Sequence, residues 1–268
     1  PEPRGSEFNS DLLFDQPFLS NQVNFQVKLD ESIISACQVE TGQYHIGLEK
    51  LIEGMSLQKS QHLLENYYPQ TGPVLNFLIC HNIEQSHQVE VPDRAKAIRM
   101  IVLEAHRVVC HFNYLRQICL ELKNESFYAS LLCWTKKIQS LIVSFSGNEY
   151  FSNIIRVGGI SVDAEQTWLS RAMDELEDVN SMLLIQYKLI QHSREWKDVL
   201  NFNLLNKTEA SLRSLTGPIV RSTGLNLDLR KSHPFYFYQD VNFEIPIGSK
   251  GTAFDLMMVK LEEVFQSL

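Results

Sequence analysis

Apolar residues recur every three or four positions along most of this 268-residue chain, which is the pattern of amphipathic helices. The longest such stretch opens at Val91-Pro92, where a proline fits the first turn of a helix, and runs to Leu122. Its apolar positions form one broad stripe: Ile98, Ile101, Val102, Ala105, Val108, Val109, Phe112, Leu115, Cys119 and Leu122. A helix with so wide an apolar stripe packs on several sides, so we expect it at the centre of the fold.

Similar spacing predicts further helices on both sides of the central one. They cover residues 44–54, 57–67, 74–87, 126–145, a segment that includes 168–187, 193–203, 208–215 and 253–268. Alternating apolar and polar residues predict a β-hairpin over 23–37, and the apolar residues around Pro234 predict short strands. The predicted fold class is therefore mainly α. It is a helical bundle around a long central helix, with small β-hairpin elements near the N-terminus and in residues 219–247.

Charge and composition narrow the class of protein. The net charge of −8 argues against a nucleic-acid-binding surface, which needs a basic stripe. No run of eighteen apolar residues occurs, so we expect no transmembrane span. The polar start of the chain predicts a disordered or tag-like leader over residues 1–22, followed by a single domain over 23–268.

The sequence contains no complete motif for metal or nucleophilic chemistry. The 5 cysteines form no C-x-x-C pair, which favours free thiols in a reducing compartment and no zinc or nickel site. Gly248 to Gly251 reads G-S-K-G, which lacks the spacing of a phosphate-binding loop. No nucleophile elbow supports serine–histidine–acid catalysis. From its residues alone, the chain is a helical domain without an active site of its own.

Three polar residues interrupt the apolar stripe of the central helix. Glu104, Arg107 and His111 lie at i, i+3 and i+7, on one face. Burying each of them without a partner costs on the order of 2 kcal/mol or more, so we expect them to be bonded to one another. The set forms either a fixed charge network that orients the helix or a proton-conducting, switchable one. Asp228 and Arg230, which share a face of any strand there, are expected to pair.

The last fifty residues carry the most specific motif. Residues 227–235 read L-D-L-R-K-S-H-P-F, and residues 238–251 read Y-x-x-x-x-F-x-I-P-I-G-S-K-G. This block resembles the family of the quinone-site 49-kDa subunit of respiratory complex I. That family shares its fold with the large subunits of nickel–iron hydrogenases.

The resemblance extends over roughly residues 23–268. Residues 37–53 are similar to the family motif C-D-P-H-x-G-x-x-H-R-G-x-E-K-L-x-E, with the second histidine of the motif at His45. Residues 94–99 match R-A-x-x-I-R, and Glu104, Arg107 and His111 match E-x-x-R-x-x-x-H. Ten residues further on, the family has a buried aspartate where this chain has Glu121.

The resemblance implies a role for each matched residue. His45 would donate a hydrogen bond to a quinone carbonyl, while Glu104, Arg107, His111 and Glu121 would form the network that couples quinone reduction to proton pumping. Arg156, in the R-V-G-G loop that resembles the family's R-P-G-G, would lie near the iron–sulfur partner subunit. Asp228, Arg230 and Lys231 would form a structural motif.

The resemblance also implies cofactors, partners and location. The chain itself would bind no metal, quinone would be its ligand, and NADH and the iron–sulfur clusters would lie in partner subunits. Its partners would be the iron–sulfur subunit beside the quinone site and the membrane-arm subunits. It would be peripheral on the inner face of an energy-converting membrane, on the mitochondrial matrix side or the bacterial cytoplasmic side.

Two departures from the family pattern leave a second function open. Residues 80–94, where we expect the family's quinone tyrosine, contain no tyrosine, and the chain ends at Leu268, without the family's C-terminal portion. The first prediction is a subunit of a complex-I-type NADH:quinone oxidoreductase. The alternative is a degenerate, non-catalytic family member that acts as a structural or assembly scaffold. An unrelated helical adaptor would require the tail match to be coincidental.

Overall fold

The computed structural model describes residues 10–14, 23–30, 33–40, 42, 45–67, 71–148 and 151–268. The chain divides into two compact units, Pro1–Gln70 and Thr71–Leu268. The described residues are mostly helical, which confirms the predicted fold class. A family domain can contain more than one compact unit, so the single domain predicted over 23–268 stays a prediction. The likeness to hydrogenase large subunits also stays a prediction.

The first unit contains a three-stranded antiparallel sheet in the order β1 (Ser10–Phe14), β2 (Val23–Asp30) and β3 (Ile33–Glu40). β2 pairs with β3, with Val27 opposite Cys37, so the predicted N-terminal hairpin is confirmed. β1 falls within the predicted leader, whose other residues lie outside the described ones. Two helices follow the sheet, α1 (Leu48–Ile52) and α2 (Leu57–Tyr67).

The second unit is a helical bundle with one minimal hairpin. Its helices are α3 (Gly72–His87), α4 (Asp93–Glu121), α5 (Glu125–Ser146), α6 (Gln166–His192), α7 (Arg194–Val199), α8 (Lys207–Leu212), α9 (Pro218–Ser222), α10 (Leu229–Ser232) and α11 (Ala253–Ser267). The strands β4 (Ile155–Arg156) and β5 (Gly159–Ile160) pair antiparallel between α5 and α6. Local signals set several boundaries: the Asn124 side chain accepts from Phe127 N–H at the start of α5, and Gly147, at φ 75°, ends that helix.

The predicted central helix is confirmed as α4. It packs against α3, α5, α11 and β5, and its stripe buries Val102, Phe112 and Leu115 almost completely. Side chains from the neighbouring helices close the core around them: Leu131, Ile138 and Ile142 of α5, Val179 and Leu183 of α6, and Met257, Leu261 and Val264 of α11. Tertiary packing on all sides therefore holds this helix, as its broad stripe predicts.

The prediction of strands within residues 219–247 is wrong. That segment, all of which the structure describes, forms α9, α10 and consecutive turns. Its backbone donors are used locally: Tyr238 N–H donates to Phe235 O at 3.2 Å, and Asp240 N–H donates to Phe237 O at 2.9 Å. Pro234 has no donor, and the turns leave no free ladder for a second strand. The apolar residues that suggested a strand face instead pack one by one against α3 and α4.

Two glycines of the tail motif are required by close backbone contacts. Gly251 has φ 70°, and a Cβ added there would lie 1.9 Å from the carbonyl oxygen of Leu205. A Cβ on Gly248 would lie 2.5 Å from the carbonyl oxygen of Ser222. The I-P-I-G-S-K-G motif thus passes tightly against the preceding loops before α11 begins. α11 then starts with a capping box formed by Thr252 and Asp255.

Candidate functional site

Glu104 lies at the centre of a buried group of polar side chains on α4. Its carboxylate accepts from Tyr238 Oη at 2.5 Å, Ser267 Oγ at 2.6 Å, Arg107 Nε at 3.1 Å and Arg230 Nη1 at 3.1 Å. Burial by itself would raise the pKa of Glu104, but the charges of Arg107 and Arg230, with these hydrogen bonds, hold that pKa below its usual range. Glu104 is therefore an ionised carboxylate with several donors on its two oxygens.

Asp228 and Arg230 pair as predicted, although they lie on a helix rather than a strand. Arg230 donates from Nε to Asp228 Oδ1 at 3.1 Å and from Nη2 to Asp228 Oδ2 at 2.8 Å. The same aspartate caps α10 by accepting from the backbone N–H of Arg230 at 2.9 Å. Arg230 thus joins Asp228 to Glu104. Lys231, the next residue, is exposed, and its Nζ lies 4.2 Å from the centre of the Phe243 ring.

His111 bonds to a residue that the sequence did not predict. Its Nε2 lies 2.8 Å from Glu263 Oε2 on α11, and Arg221 of α9 reaches the other oxygen of that carboxylate at 2.5 Å. The prediction that His111 bonds to Glu104 and Arg107 is wrong. Seven helical residues separate His111 from Glu104 by about 10 Å along the axis, and Glu263 lies closer.

The two groups join into one chain of buried charges. Arg221 Nη1 lies 3.9 Å from Asp228 Oδ2, which links the Glu263 end to the Glu104 end. We call these seven residues the α4 network: Arg107, Glu104, Arg230, Asp228, Arg221, Glu263 and His111. Three arginines face three carboxylates, so the network is electrically balanced when His111 is neutral. Such balance is what allows charge to be buried at this depth.

His111 is neutral near pH 7. Burial lowers its pKa to about 4, against the opposing effect of Glu263. The Nε2–H group therefore donates a hydrogen bond to Glu263, and the pair is not an ion pair. Nδ1 of His111 is buried without a hydrogen-bond partner among the described residues.

A second buried cluster joins α3, α4 and the β4–β5 hairpin. Arg99 of α4 is 0% exposed and donates to both oxygens of Glu84, at 2.6 and 2.9 Å. It also donates to the carbonyl oxygens of Arg156, at 2.6 Å, and Gly159, at 2.9 Å. Its last contact is with Tyr236 Oη, at 2.5 Å. We call Glu84, Arg99 and Tyr236 the Arg99 cluster.

The remaining predicted residues lie outside these clusters. His45 is exposed, just before α1, and its backbone N–H donates to Gly42 O at 3.1 Å. Glu121 is exposed and accepts from Gln117 Nε2 at 3.3 Å, so it does not join the α4 network. The side chain of Arg156 donates to Asn153 Oδ1 at 2.8 Å, and only its backbone carbonyl reaches Arg99. The roles predicted for these residues stay predictions.

Five residues complete the clusters without a site role predicted from the sequence: Glu84, Arg99, Arg221, Tyr236 and Glu263. Glu263 had a detectable signal, because it falls on the apolar face of α11 four residues after Val259. Arg99 lies in the R-A-x-x-I-R motif between Ile98 and Met100. Charged residues within an apolar stripe are the general signal for such sites.

Metal sites and membrane spans are two further features that bear on function. Within the described ranges, no group of three or more histidine, cysteine, aspartate or glutamate side chains could hold a metal ion. In the same part of the chain, no helix combines the length and the apolar character needed to cross a membrane.

Comparison with known proteins agrees with the tail motif. The family model for the respiratory-chain NADH dehydrogenase 49-kDa subunit matches residues 130–268. The D-type subunit of NADH-quinone oxidoreductase from Protochlamydia amoebophila is 25% identical over 268 residues, which are 100% of this chain and 67% of the relative. The corresponding protein of Bacillus anthracis is 27% identical over 243 residues, 90% of this chain and 66% of the relative.

This chain spans about two thirds of the length of those relatives. The matched region includes β4, β5 and the helices α6 to α11, with Asp228, Arg230 and Glu263. Because the family model covers just over half of the chain, the chain belongs to the family of the 49-kDa subunit of respiratory-chain NADH dehydrogenase.

Proposed function

We propose that this chain is a subunit of a complex-I-type NADH:quinone oxidoreductase, where it helps to form the quinone chamber and to couple quinone reduction to proton pumping. The observation that carries the proposal is the α4 network. It places Glu104, Arg107 and His111 of the central helix in one line of contacts with Asp228 and Arg230 of the tail motif. The relatives that match this chain are named as subunits of NADH-quinone oxidoreductase.

Within this proposal, His45 contacts the quinone. An exposed imidazole at the start of α1 is able to donate a hydrogen bond to a carbonyl oxygen, and Gly47, with φ 66°, turns the backbone there. Quinone is the substrate of the assembly. NADH and the iron–sulfur clusters are assigned to partner subunits, and the electrons reach the quinone from those subunits.

The α4 network would carry the coupling. Arg230 is shared between Glu104 and Asp228, and Arg221 between Asp228 and Glu263, so a change of charge at one end alters the pairing at the next contact. His111 has an Nδ1 without a partner among the described residues, which is able to accept a proton at the far end. The proposed partners are the iron–sulfur subunit beside the quinone site and the membrane-arm subunits. The proposed location is peripheral, on the inner face of an energy-converting membrane.

The test is quinone reduction by the native assembly carrying His45→Ala. Loss of one hydrogen bond in the rate-determining state is expected to lower turnover about tenfold, equivalent to ~1.4 kcal/mol. His192→Ala is the matched control, because His192 is also exposed but lies at the end of α6. Turnover that is equal in both variants would remove His45 from the quinone chamber.

A specific observation favours the alternative, a non-catalytic scaffold. Glu121 occupies the position of the family's buried aspartate, yet it is exposed and bonds only to Gln117 among the described residues. For a scaffold, the native complex would assemble with this chain, while His45→Ala and Glu104→Gln would both leave its quinone reductase rate unchanged. The mass and subunit content of the native assembly separate either function from a free-standing protein.

A further inference from the structure

A cavity of about 650 Å³ lies beside the Arg99 cluster, away from the α4 network. Its walls include His81, Glu84 and Gln85 of α3, the rim residue Lys96 of α4, and Tyr236. His81 and Tyr236 form an aromatic corner, with ring centroids 6.1 Å apart and ring planes at 89°. A volume of this size holds a ring with several substituents.

Tyr236 has an unused hydrogen-bond donor in this cavity. Its oxygen accepts from Arg99 Nη1 at 2.5 Å, but its own O–H group has no acceptor among the described residues. The fully buried guanidinium, held in place by Glu84 and two carbonyl oxygens, fixes the position of that oxygen. A cation that donates to a phenol oxygen makes the remaining O–H a stronger donor.

The backbone at Tyr236 is held in a costly conformation. Its φ is 51°, in the left-handed region, which costs a bulky residue on the order of 1–3 kcal/mol. Packing maintains it: Phe235 lies against Phe77, with centroids 5.2 Å apart, and Phe237 N–H contacts Met100 Sδ at 3.4 Å. Strain of this kind, stabilised from both sides, is typical of residues placed for binding.

His81 provides a second polar group on the same wall. Its ring stacks on Phe77 at 5.5 Å and 17°, which leaves the other ring face toward Tyr236 and Phe235. Neither ring nitrogen has a hydrogen-bond partner among the described residues. The imidazole is therefore available to a ligand without breaking an existing contact.

The charges around the cavity select against anions. Glu84 is neutralised by Arg99, and Lys96 is paired with Asp93 at 2.8 Å, so the exposed Glu90 leaves the rim negative. A neutral ring with hydrogen-bond acceptors fits this lining better than a phosphate or a carboxylate.

We propose that this cavity binds a quinone headgroup, with the Tyr236 O–H donating to one carbonyl oxygen and the ring lying against His81. The site differs from the one proposed around His45, and it supplies a tyrosine and a histidine from within residues 71–268 alone. The choice of quinone as the ligand rests on the proposed function. The position of the site rests on the cavity, the free phenol donor and the unpaired imidazole.

The test is calorimetric titration of the full chain, in its native assembly, with a short-chain benzoquinone. Tyr236→Phe is expected to raise the Kd about fivefold to tenfold, the effect of one lost hydrogen bond. Gln85→Trp, which fills the cavity from an exposed helix position, is expected to abolish saturable binding there. Tyr128→Phe is the matched control, because the Tyr128 phenol also accepts from an arginine, Arg116, at 3.1 Å, but lies outside the cavity.

Tyr236→Phe removes an acceptor from buried Arg99, so His81→Leu serves as a second variant that breaks no hydrogen bond. It is expected to weaken binding severalfold while thermal unfolding stays unchanged. Unchanged Kd values in Gln85→Trp and His81→Leu would overturn the inference. If His45→Ala then loses binding, the proposed function stands and only this second site fails. If the unaltered assembly binds no quinone, both fail.

Discussion

At the scale of single residues, the deeply buried charges of this molecule are matched to a nearby opposite charge. Arg99 and Glu263 are each 0% exposed, and each makes an ion pair of 2.6 Å or less. Desolvating such groups costs several kcal/mol apiece, which only a well-placed partner offsets. Tyr236 and Tyr238 add neutral contacts, one to each cluster, from the same turn.

We predict that stability falls as the pH drops from about 6.5 to about 4, because of His111. Burial lowers its folded-state pKa to about 4 from 6.5, so the unfolded chain binds the proton first, and acid favours unfolding. The loss across this window is about 3 kcal/mol. His111→Gln is expected to flatten the dependence in urea titrations at several pH values, whereas exposed His233→Gln keeps it. Parallel curves for all three proteins would contradict the assignment.

Arg230 is predicted to be the most sensitive member of the α4 network. Arg230→Met leaves Asp228 without its bidentate partner and removes one of the two arginines on Glu104, which costs about 3–5 kcal/mol. The neighbouring Lys231→Met, at an exposed position, is expected to cost less than ~1 kcal/mol. Chemical denaturation of the two variants measures the difference. Equal losses would show that the network is solvated.

At the scale of elements, α4 contributes to both buried clusters. Arg99 lies near its start and Glu104, Arg107 and His111 follow over the next turns, so one helix positions the Arg99 cluster and the α4 network. The turn containing Tyr236 and Tyr238 spans the same two clusters from the tail. α11 fixes the far end through Glu263, after the tight passage at Gly251.

Two leucines of α4 give a direct test of its central position. Leu115 is 1% exposed and Leu120 is 45% exposed on the same helix. Leu115→Ala is expected to lower the free energy of unfolding by about 2–5 kcal/mol, since it leaves a cavity in a closed core. Leu120→Ala should cost well under half as much. Similar thermal shifts for both would place α4 at the periphery.

At the scale of the whole molecule, the second unit has a core of its own. Every residue of the main hydrophobic cluster lies between Phe77 and Leu268, around α4, α5, α6 and α11. Both buried ion clusters also lie within Thr71–Leu268. The charge pairs and the apolar core therefore belong to one cooperative body.

We predict that a fragment of residues 71–268 folds without the first unit. Its 198 residues bury enough apolar surface for an independent core, and the ion pairs of both buried clusters are internal to it. A single cooperative thermal transition with native helical circular dichroism is the expected result. A broad transition with exposed apolar surface, seen as dye binding, would show that the fragment needs residues 1–70.

The helices were predictable because their signals are local. Apolar spacing located α2, α4 and α5 to within two residues, and the N-terminal hairpin followed from alternation. The strands expected around Pro234 failed for a physical reason. Apolar residues in consecutive turns resemble a strand face in sequence, and only the position of α3 and α4 shows where each side chain packs.

The sequence by itself determined which residues lie on each buried face, and through its motifs it determined the family. Only the tertiary structure decided the partners of the buried charges. His111 pairs with Glu263, 152 residues away, and Arg99 contacts Tyr236, 137 residues away. Helical periodicity fixes the direction of a side chain relative to its own axis, but the group opposite depends on how distant helices pack. The α4 network and the cavity beside Tyr236 exist only once that packing is complete.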